Sequence, residues 1–472
     1  MKDTTASMSL PDRLRQIIAT LKHGLVERDE AVRLVLLAAL AGEHSLLIGP
    51  PGTAKSELAR RLHRVFEEAP YFERLLTRFS VPEELFGPLS ISALEQDRYE
   101  RQTRGFLPEA SIAFIDEVFK ANSAILNALL TLLNEREFDN GAGRQRCPLV
   151  SVVGATNEVP DDEVAEAFFD RFLVRLTVAP VSNEGFMDLL SLPAALETPR
   201  IDAPLSEADR SALTKAADAV LMPAEVSELL VELRDFLSAR ETAVSDRRWV
   251  KIVWLMKTAA ACEGRAQVVL WDLCLLPACL ASDAETQVEI SDWLTTRLGV
   301  QAAFLPERVT RAVEAFEAQV MLEQRANDLD FDESGRLRFS PDVVTEDIAE
   351  GIAGAIGDAK GGAGATRMTY QRKRRYGQIH IDARTGQIDD LMQRLAAYRE
   401  TLRACIASLA QFDAQALWMS RAFADAARTH LEGTGDALAQ LEARLGQARR
   451  GFEALPRLDA DPGTVPDPVR FD

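Results

Sequence analysis

The stretch that decides the fold reads Ser45-Leu46-Leu47-Ile48-Gly49-Pro50-Pro51-Gly52-Thr53-Ala54-Lys55-Ser56. Four β-prone residues lead into a glycine-containing turn, and a helix-forming run follows the Lys-Ser pair. Such a turn points several backbone N–H groups at one spot beside a helix N-terminus, which suits a chain of phosphates. Lys55 is expected to reach the β- and γ-phosphates, and Ser56 to offer its hydroxyl to Mg²⁺. The stretch therefore predicts a nucleotide site, against the alternative of an ordinary strand–turn–helix.

Ala54 departs from the usual pattern of such a loop, which has a third glycine at that position. An alanine held at positive φ costs roughly 1 kcal/mol relative to glycine. We expect the loop to tolerate that cost.

Length and composition bound the class of protein. A chain of 472 residues that is 47% apolar can bury two or three domain cores. The N-terminus resembles no signal peptide, and the longest apolar runs are too short or too interrupted to span a bilayer, so we expect a cytoplasmic protein. The net charge of -19 argues against nucleic acid as the default partner. The five cysteines show no C-x-x-C spacing, which favours buried free thiols over a metal site.

The pattern changes along the chain predict the domain organisation. Residues 1–195 alternate apolar runs with helical patterns, which predicts an α/β doubly wound domain with a mostly parallel sheet. Residues 196–304 show helical periodicity, so an all-helical domain is expected. A helical arm at 305–329 and 387–455, interrupted at Gly433 and Gly435, would carry a small β-containing module at 330–386, and a flexible tail would occupy 456–472. The candidate strands are 45–48, 76–79, 112–115, 149–155, 173–177 and, in the module, the alternating residues 378–381.

A short apolar run at 112–115 ends in Asp116 and Glu117. Two acids at the carboxyl end of a buried parallel strand lie in the crevice where such sheets bind ligands. Asp116 is then expected to bind Mg²⁺ together with Ser56, and Glu117 to polarise the attacking water. An ordinary strand-to-helix cap is the alternative, but the phosphate loop upstream favours the catalytic interpretation.

Asn157 follows the next apolar run, in the sequence Gly154-Ala155-Thr156-Asn157. A polar side chain at the end of an adjacent strand can hydrogen-bond the γ-phosphate or the attacking water. Asn157 is predicted in that role, and the alternative is an asparagine that merely forms a turn.

Two pairs of arginines are candidates for contact with the γ-phosphate. Arg171 is either an ordinary ion pair with Asp170 or a finger inserted into a neighbouring subunit's site, with Arg175 as the second candidate. In Ser245-Asp246-Arg247-Arg248-Trp249, either Arg247 or Arg248 can extend from the helical domain to the γ-phosphate.

These elements, in this order, resemble the AAA+ ATPases, and most of all the RavA (regulatory ATPase variant A) subgroup of their MoxR branch. Further stretches that carry the resemblance are 24–28 (GLVER), 77–90 (TRFSVPEELFGPLS) and 245–249 (SDRRW). The likeness covers residues 10–300, and beyond 300 it is one of architecture. By resemblance, residues 24–28 lie near the nucleotide base, so Val26 is expected to bind the cofactor.

The resemblance also implies an assembly and partners. Family members bind ATP and Mg²⁺ between the subunits of a ring or spiral homo-hexamer, and they remodel or activate protein clients, often with a von Willebrand factor A-domain partner. A helix-2 insertion at 90–106 and a hairpin at 138–148 would face the central pore or a partner. Leu85-Phe86-Gly87 looks like a pore loop, but its position before the insertion favours a structural turn.

The leading hypothesis is therefore an ATP-driven, chaperone-like remodeller of protein complexes. A nucleic-acid motor is a second hypothesis, since Tyr370 and Tyr376 flank a basic cluster that can grip phosphates and stack bases (Arg367, Arg372, Lys373, Arg374, Arg375). A metal-chelatase motor subunit is a third hypothesis, and a nucleotide-gated scaffold without turnover is a fourth. The presence of both Asp116 and Glu117 argues against the scaffold.

Overall fold

The structure is a computed structural model, and it describes residues 8–141, 143–157, 163–193, 200–242, 244–328, 372–458 and 464–470. The chain divides into two compact units. The first comprises Met1–Gly299 and Ile406–His430, and the second comprises Val300–Cys405 and Leu431–Asp472.

The first unit is built on a five-stranded sheet. Its strands are β1 (His44–Ile48), β2 (Tyr71–Leu75), β3 (Ile112–Asp116), β6 (Ser151–Thr156) and β7 (Phe172–Thr177). They lie in the order β2-β3-β6-β1-β7, and every neighbouring pair is parallel. All five strands therefore end at one edge of the sheet, here called the carboxyl edge, and begin at the opposite amino edge. The predicted α/β fold with a parallel sheet is confirmed.

The central strands are almost wholly apolar, as expected of a parallel sheet that is covered on both faces. Leu46, Phe114 and Val153 are each at most 1% exposed. The described residues before 200 form these α-helices of the first unit: α1 (Leu10–Lys22), α2 (Asp29–Leu40), α3 (Lys55–Leu62), α4 (Pro82–Phe86), α5 (Ile91–Leu94), α6 (Ser123–Glu135), α7 (Glu163–Phe169) and α8 (Asn183–Leu190).

The predicted helical domain follows and is confirmed. Its helices are α9 (Glu207–Ala219), α10 (Ala224–Ser238), α11 (Asp246–Cys262), α12 (Leu276–Leu280) and α13 (Ala284–Arg297). We call this part of the first unit the lid. In the described residues, no helix is both long and apolar enough to cross a bilayer.

A β-hairpin lies where the sequence predicts one. Strands β4 (Glu137–Asn140) and β5 (Gly143–Arg146) pair antiparallel. The segment at 90–106 is held against this hairpin, because the backbone N–H of Arg101 donates to Asn140 Oδ1 at 2.6 Å. Leu85 and Phe86 are buried, and a Cβ on Gly87 would lie 2.0 Å from the carbonyl oxygen of Gln102. Leu85 and Phe86 are thus the last residues of α4 and Gly87 is its cap, so the segment has a structural role as its position favours, but most of it is helix and not turn.

One predicted strand is misplaced. The edge strand is β2 (Tyr71–Leu75), whereas residues 76–79 form the turn that follows it. An edge strand has a solvent-facing side, so it carries Glu73 and Arg74 and lacks a continuous apolar run. Leu76 is buried in the core beneath the turn, which explains why its neighbourhood resembles a strand.

The second unit contains α14 (Pro306–Arg325) and a short ribbon of β8 (Asn327–Asp328) with β9 (Arg372–Lys373). Two long helices, α15 (Gln378–Gln415) and α16 (Arg421–Glu453), follow. The end of α15, the connection after it and the start of α16 (residues 406–430) belong to the first unit. Residues 329–371, and with them most of the predicted module at 330–386, lie outside the described residues.

Two sequence predictions in this region are wrong. Residues 378–381 begin α15 and do not form a strand. Along α15, side chains at seven-residue intervals form a buried stripe (Ile381, Ile388, Leu395, Leu402, Leu409). This stripe outweighs an alternation of only four residues. Gly433 and Gly435 do not interrupt α16. This helix also has a stripe of buried side chains at seven-residue intervals (Leu431, Leu438, Leu445, Phe452). Both glycines lie off that stripe, so their missing side chains leave its packing intact.

Candidate nucleotide site

The phosphate loop connects β1 to α3 at the carboxyl edge. Gly49 and Gly52 have positive φ, and a Cβ on Gly49 would lie 2.2 Å from the carbonyl oxygen of Val178. Ala54 precedes α3 with φ +66°, in the left-handed conformation that a glycine would adopt more cheaply. The loop therefore turns sharply just before α3, as expected of a loop that presents backbone N–H groups to phosphates at a helix N-terminus.

Lys55 is the cation of this loop. Its side chain is buried, and Nζ donates to the carbonyl oxygens of Gly49 and Pro50, both at 2.7 Å. Burial lowers the pKa of Lys55, while the carboxylates of Asp116 and Glu117 act in the opposite sense. An ammonium group is thus held beside two acids at the carboxyl edge.

Asp116 is the last residue of β3, and its Oδ1 accepts the backbone N–H of Glu117 at 3.0 Å. Burial raises the pKa of Asp116 above that of an ordinary aspartate, and the nearby carboxylate of Glu117 adds to that effect. Ser56 lies half-buried in the first turn of α3, which packs against β3. A carboxylate and a hydroxyl are hard oxygen ligands, so these two residues fit Mg²⁺, whose charge would favour the ionised form of Asp116.

Glu117 follows in a left-handed conformation, with φ +53°. A non-glycine residue in that region is strained, and such strain is often found at functional sites. The side-chain amide of Asn157 donates to Glu117 Oε1 at 2.7 Å, and Lys120 Nζ lies 3.2 Å from Oε2. The structure thus brings Lys55, Asp116, Glu117 and Asn157 together at the carboxyl edge.

The arginines of the first predicted pair have different surroundings. Arg175 is buried over the ring of Phe169 and donates to the carbonyl oxygens of Phe169, Phe172 and Ala281. Arg171 is partly exposed, with a loose ion pair to Asp170 at 3.6 Å. Its Nε atom is buried without a hydrogen-bond partner among the described residues. Arg175 is therefore committed to the fold, which leaves Arg171 as the available cation.

The second pair divides in the same way. Arg248 is buried and joins the lid to the core, since it donates to Cys279 O at 2.6 Å, Leu173 O at 2.8 Å and Phe172 O at 3.1 Å. Arg247 is exposed and donates to Asn134 Oδ1 at 2.8 Å. Of the two, Arg247 is the available cation.

Arg171 and Arg247 both lie at the amino edge. Arg171 directly precedes β7, whose first residue, Phe172, pairs with the first residue of β1, His44. Arg247 contacts the end of α6, beside the Leu133 carbonyl that His44 Nε2 contacts at 3.2 Å. Burial and, second, the charge of Arg247 lower the pKa of Arg171, as expected for neighbouring cations. The five residues of β1 separate this edge from the phosphate loop by about 16 Å.

A residue that the sequence predictions missed is Arg28. It is buried, and it donates to the carbonyl oxygens of Thr53 in the phosphate loop, of Ala179 after β7 and of its neighbour Glu27. A signal was present in the sequence, because a cation directly before a helix opposes the helix dipole and needs another reason to be there. Val26 lies half-buried in the same turn, and its contact with a nucleotide base stays a prediction.

The chain is similar to known proteins over both the sheet and the lid. A family model described as the MoxR domain in MoxR-vWA-beta-propeller ternary systems matches residues 12–214, and an AAA lid domain model matches residues 225–294. Two uncharacterized proteins of Methanocaldococcus jannaschii are 41% and 39% identical over 266 and 267 residues, which is 56% of this chain and 69% and 70% of theirs. Protein MoxR of Paracoccus denitrificans is 28% identical over 202 residues, which is 41% of this chain and 59% of that protein.

The parallel sheet, phosphate loop and helical lid define the AAA+ class of ATPases. Within that class, this chain belongs to the MoxR family.

Proposed function

We propose that this chain is an Mg²⁺-dependent ATPase motor whose active sites lie between the subunits of a ring or spiral homo-hexamer. The observation that carries the proposal is that two groups of residues lie at opposite edges of the sheet, separated by the length of a strand. Lys55, Asp116 and Glu117 lie at the carboxyl edge, whereas Arg171 and Arg247 lie at the amino edge.

This separation determines whether each of these arginines can reach the nucleotide bound to its own chain or only one bound to a neighbouring chain. A gap of about 16 Å is too long for Arg171 to reach the phosphate loop of its own chain. Its guanidinium is partly exposed, and so is that of Arg247, as a contact with another subunit requires. Charge on a transferred phosphoryl group is commonly stabilised by an arginine from a neighbouring molecule. We therefore assign Arg171 as a finger that acts on the neighbour's γ-phosphate, with Arg247 beside it.

The residues at the carboxyl edge then have separate roles. The loop N–H groups and Lys55 bind the phosphates, so Nζ exchanges the carbonyl oxygens of Gly49 and Pro50 for phosphate oxygens. Asp116 and Ser56 would hold Mg²⁺, which when bound neutralises charge on the β- and γ-oxygens. Glu117 accepts a proton from the attacking water, and Asn157 holds the Glu117 carboxylate in place.

The partners form the less direct part of the proposal. The description of the matched family model places its members with von Willebrand factor A-domain proteins, which supports such a protein as partner. We propose that ATP turnover drives remodelling or activation of a protein complex. Within the MoxR family we propose the RavA subgroup, on the resemblance of the stretch 245–249 and of Ala54 in the phosphate loop.

The basic cluster gives less support to a nucleic-acid motor. Tyr376 is 5% exposed and its hydroxyl donates to the carbonyl oxygen of Glu323, so its ring is not presented for base stacking. Arg367 and Tyr370 lie outside the described residues. We therefore retain a protein client in the proposal.

The test is ATP turnover in mixtures of two inactive variants. Lys55→Ala should not bind the phosphates, and Arg171→Ala should bind ATP without hydrolysing it. When the two are mixed, some interfaces pair an intact loop with an intact finger, so Mg²⁺-dependent turnover should return and EDTA should abolish it. A mixture with no more activity than its components, despite subunit exchange, would contradict shared sites. Arg394→Ala, which removes an exposed arginine of the second unit, is the control for loss of a surface charge.

A further inference from the structure

Arg28 lies where three backbone segments meet. Its Nε donates to Thr53 O at 3.0 Å, and its two terminal nitrogens donate to Ala179 O and Glu27 O, both at 2.7 Å. These carbonyls belong to the phosphate loop, the segment after β7 and the turn between α1 and α2. One planar guanidinium therefore fixes the mutual positions of all three.

Burying Arg28 at this position costs free energy that an apolar side chain would not cost. Arg28 is 8% exposed, and burial lowers its pKa. It also occupies the position before α2, where the helix dipole disfavours a cation. Three hydrogen bonds from a charged donor offset these costs, and one of them ends on the phosphate loop itself.

Glu27 anchors the same turn on its other side. Its Oε2 accepts the backbone N–H of Ser182 at 2.8 Å, and its Oε1 accepts the Ser182 hydroxyl. Ser182 is the cap of α8, so the Glu27 carboxylate lies at the N-terminus of that helix, where a negative charge is favoured. The Glu27 carboxylate packs closely against Gly185 in the first turn of α8, since a Cβ added to Gly185 would lie 2.4 Å from Glu27 Oε1. Residues 24–28 are thus held between α8 and the phosphate loop.

We propose that Arg28 is a positioning residue that sets the spacing between the phosphate loop and the turn at 24–28, so that the two hold opposite ends of one nucleotide. This inference rests on the proposed function. A ligand whose phosphates lie on the loop must place its remaining part against a neighbouring wall. The turn at 24–28 is a wall that Arg28 ties directly to the loop. A bare phosphate chain needs only the loop, whereas a complete nucleotide needs both parts at the correct distance.

The test compares ATP with inorganic tripolyphosphate, by equilibrium binding to the full chain. Arg28→Met keeps much of the side-chain bulk and removes the three hydrogen bonds. We expect it to weaken ATP binding by about tenfold or more while tripolyphosphate affinity changes by no more than about threefold. Arg28→Lys, which keeps the charge but not the planar fork, should lie between wild type and Arg28→Met for ATP and near wild type for tripolyphosphate.

The outcomes separate the two proposals. Equal losses for both ligands, or no loss for either, would overturn the positioning role of Arg28 and leave the ATPase proposal standing. If wild type binds no ATP, or if Lys55→Ala binds it equally well, the proposed function fails and this inference fails with it. Should Arg28→Met lose its cooperative thermal transition, the same comparison on Arg28→Lys decides: a selective loss of ATP binding supports the role, and unchanged or parallel affinities overturn it.

Discussion

The side-chain amide of Asn157 donates a 2.7 Å hydrogen bond to Oε1 of Glu117. The two residues follow adjacent parallel strands, β6 and β3, whose pairing places them at the same edge of the sheet. Lys120 approaches the second oxygen of Glu117 at 3.2 Å, so the carboxylate is restrained on both sides. Its orientation is thereby set before any ligand arrives.

Asn157→Ala should slow ATP turnover by roughly ten- to a hundredfold and leave ATP binding nearly unchanged, because the carboxylate loses its orientation but not its charge. Steady-state turnover and equilibrium binding measure the two effects separately. Glu117→Gln should lose more turnover, roughly a hundred- to ten-thousandfold, since it removes the base itself. Wild-type turnover in Asn157→Ala would show that the hydrogen bond has no catalytic role.

Arg248→Ala should destabilise the first unit by roughly 3–5 kcal/mol, because it removes a buried cation and leaves core and lid carbonyls without their donor. Arg247→Ala should change the free energy of unfolding by less than about 0.5 kcal/mol, since its side chain is exposed. Tryptophan fluorescence in urea is a selective probe, because all five tryptophans lie in the first unit. Equal effects of the two substitutions would contradict the division of roles.

Two substitutions in the phosphate loop should act in opposite directions. Gly49→Ala places a Cβ 2.2 Å from Val178 O, so we expect a loss of about 2 kcal/mol or more in unfolding free energy, and weaker ATP binding. Ala54→Gly relieves a left-handed alanine at the cost of a more flexible unfolded chain, so it should be neutral or stabilise by up to about 1 kcal/mol. Destabilisation by Ala54→Gly would mean that the loop uses the alanine side chain.

His44 should make the first unit sensitive to acid. Burial and, second, the charge of Arg136 lower the pKa of His44 to about 3, and its Nδ1 accepts the Val152 N–H at 3.0 Å. Because the unfolded chain binds this proton near pH 6.5 and the folded chain resists it, stability is full above that pH. It falls by about 1.4 kcal/mol per unit below it.

His44→Asn tests this prediction, since its side-chain oxygen can accept the same N–H. The difference in unfolding free energy, wild type minus variant, should fall by about 2 kcal/mol between pH 7 and pH 5. A difference that stays constant over this range would mean that His44 titrates normally in the folded protein.

Gly141→Ala should separate the hairpin from the segment at 90–106. Gly141 has φ +70°, and a Cβ there would lie 2.2 Å from Tyr99 O. Trypsin should then cleave after Arg98, Arg101 and Arg104 about tenfold faster than in wild type, because local opening becomes easier. Gly143→Ala, in the same hairpin with open space around its Cβ, is the matched control and should leave the cleavage rate unchanged.

The sequence predicted the sheet well where strands are covered on both faces. β1 and β3 are short apolar runs with sharp ends, so their positions follow from composition. The edge strand β2 mixes polar and apolar residues, and its position depends on pairing with β3, which no local pattern reveals. At the start of α15, the alternation of residues 378–381 predicted a strand. These residues are helical because buried side chains recur every seven residues along α15, at five positions.

The part of the candidate site that lies in local sequence motifs was predictable, whereas the part that depends on tertiary packing was not. Lys55, Asp116, Glu117 and Asn157 belong to local motifs, so their convergence follows from the parallel topology. Which arginine of each pair is available depends on tertiary burial, and Arg175 and Arg248 differ from their neighbours only in what packs over them. Arg28 was missed because its three acceptors are backbone carbonyls: the sequence shows an unfavourable cation directly before α2, but not what that cation contacts.

The division of the proposed site between the two edges of the sheet has a genetic consequence. A chain that lost Arg171 would keep an intact phosphate loop, yet the defect would appear in the neighbour that depends on it. In a cell that makes normal and altered copies together, each altered subunit would therefore inactivate the site of its neighbour, even where that neighbour is a normal chain. An allele that lost Lys55 would stop only the site on its own chain.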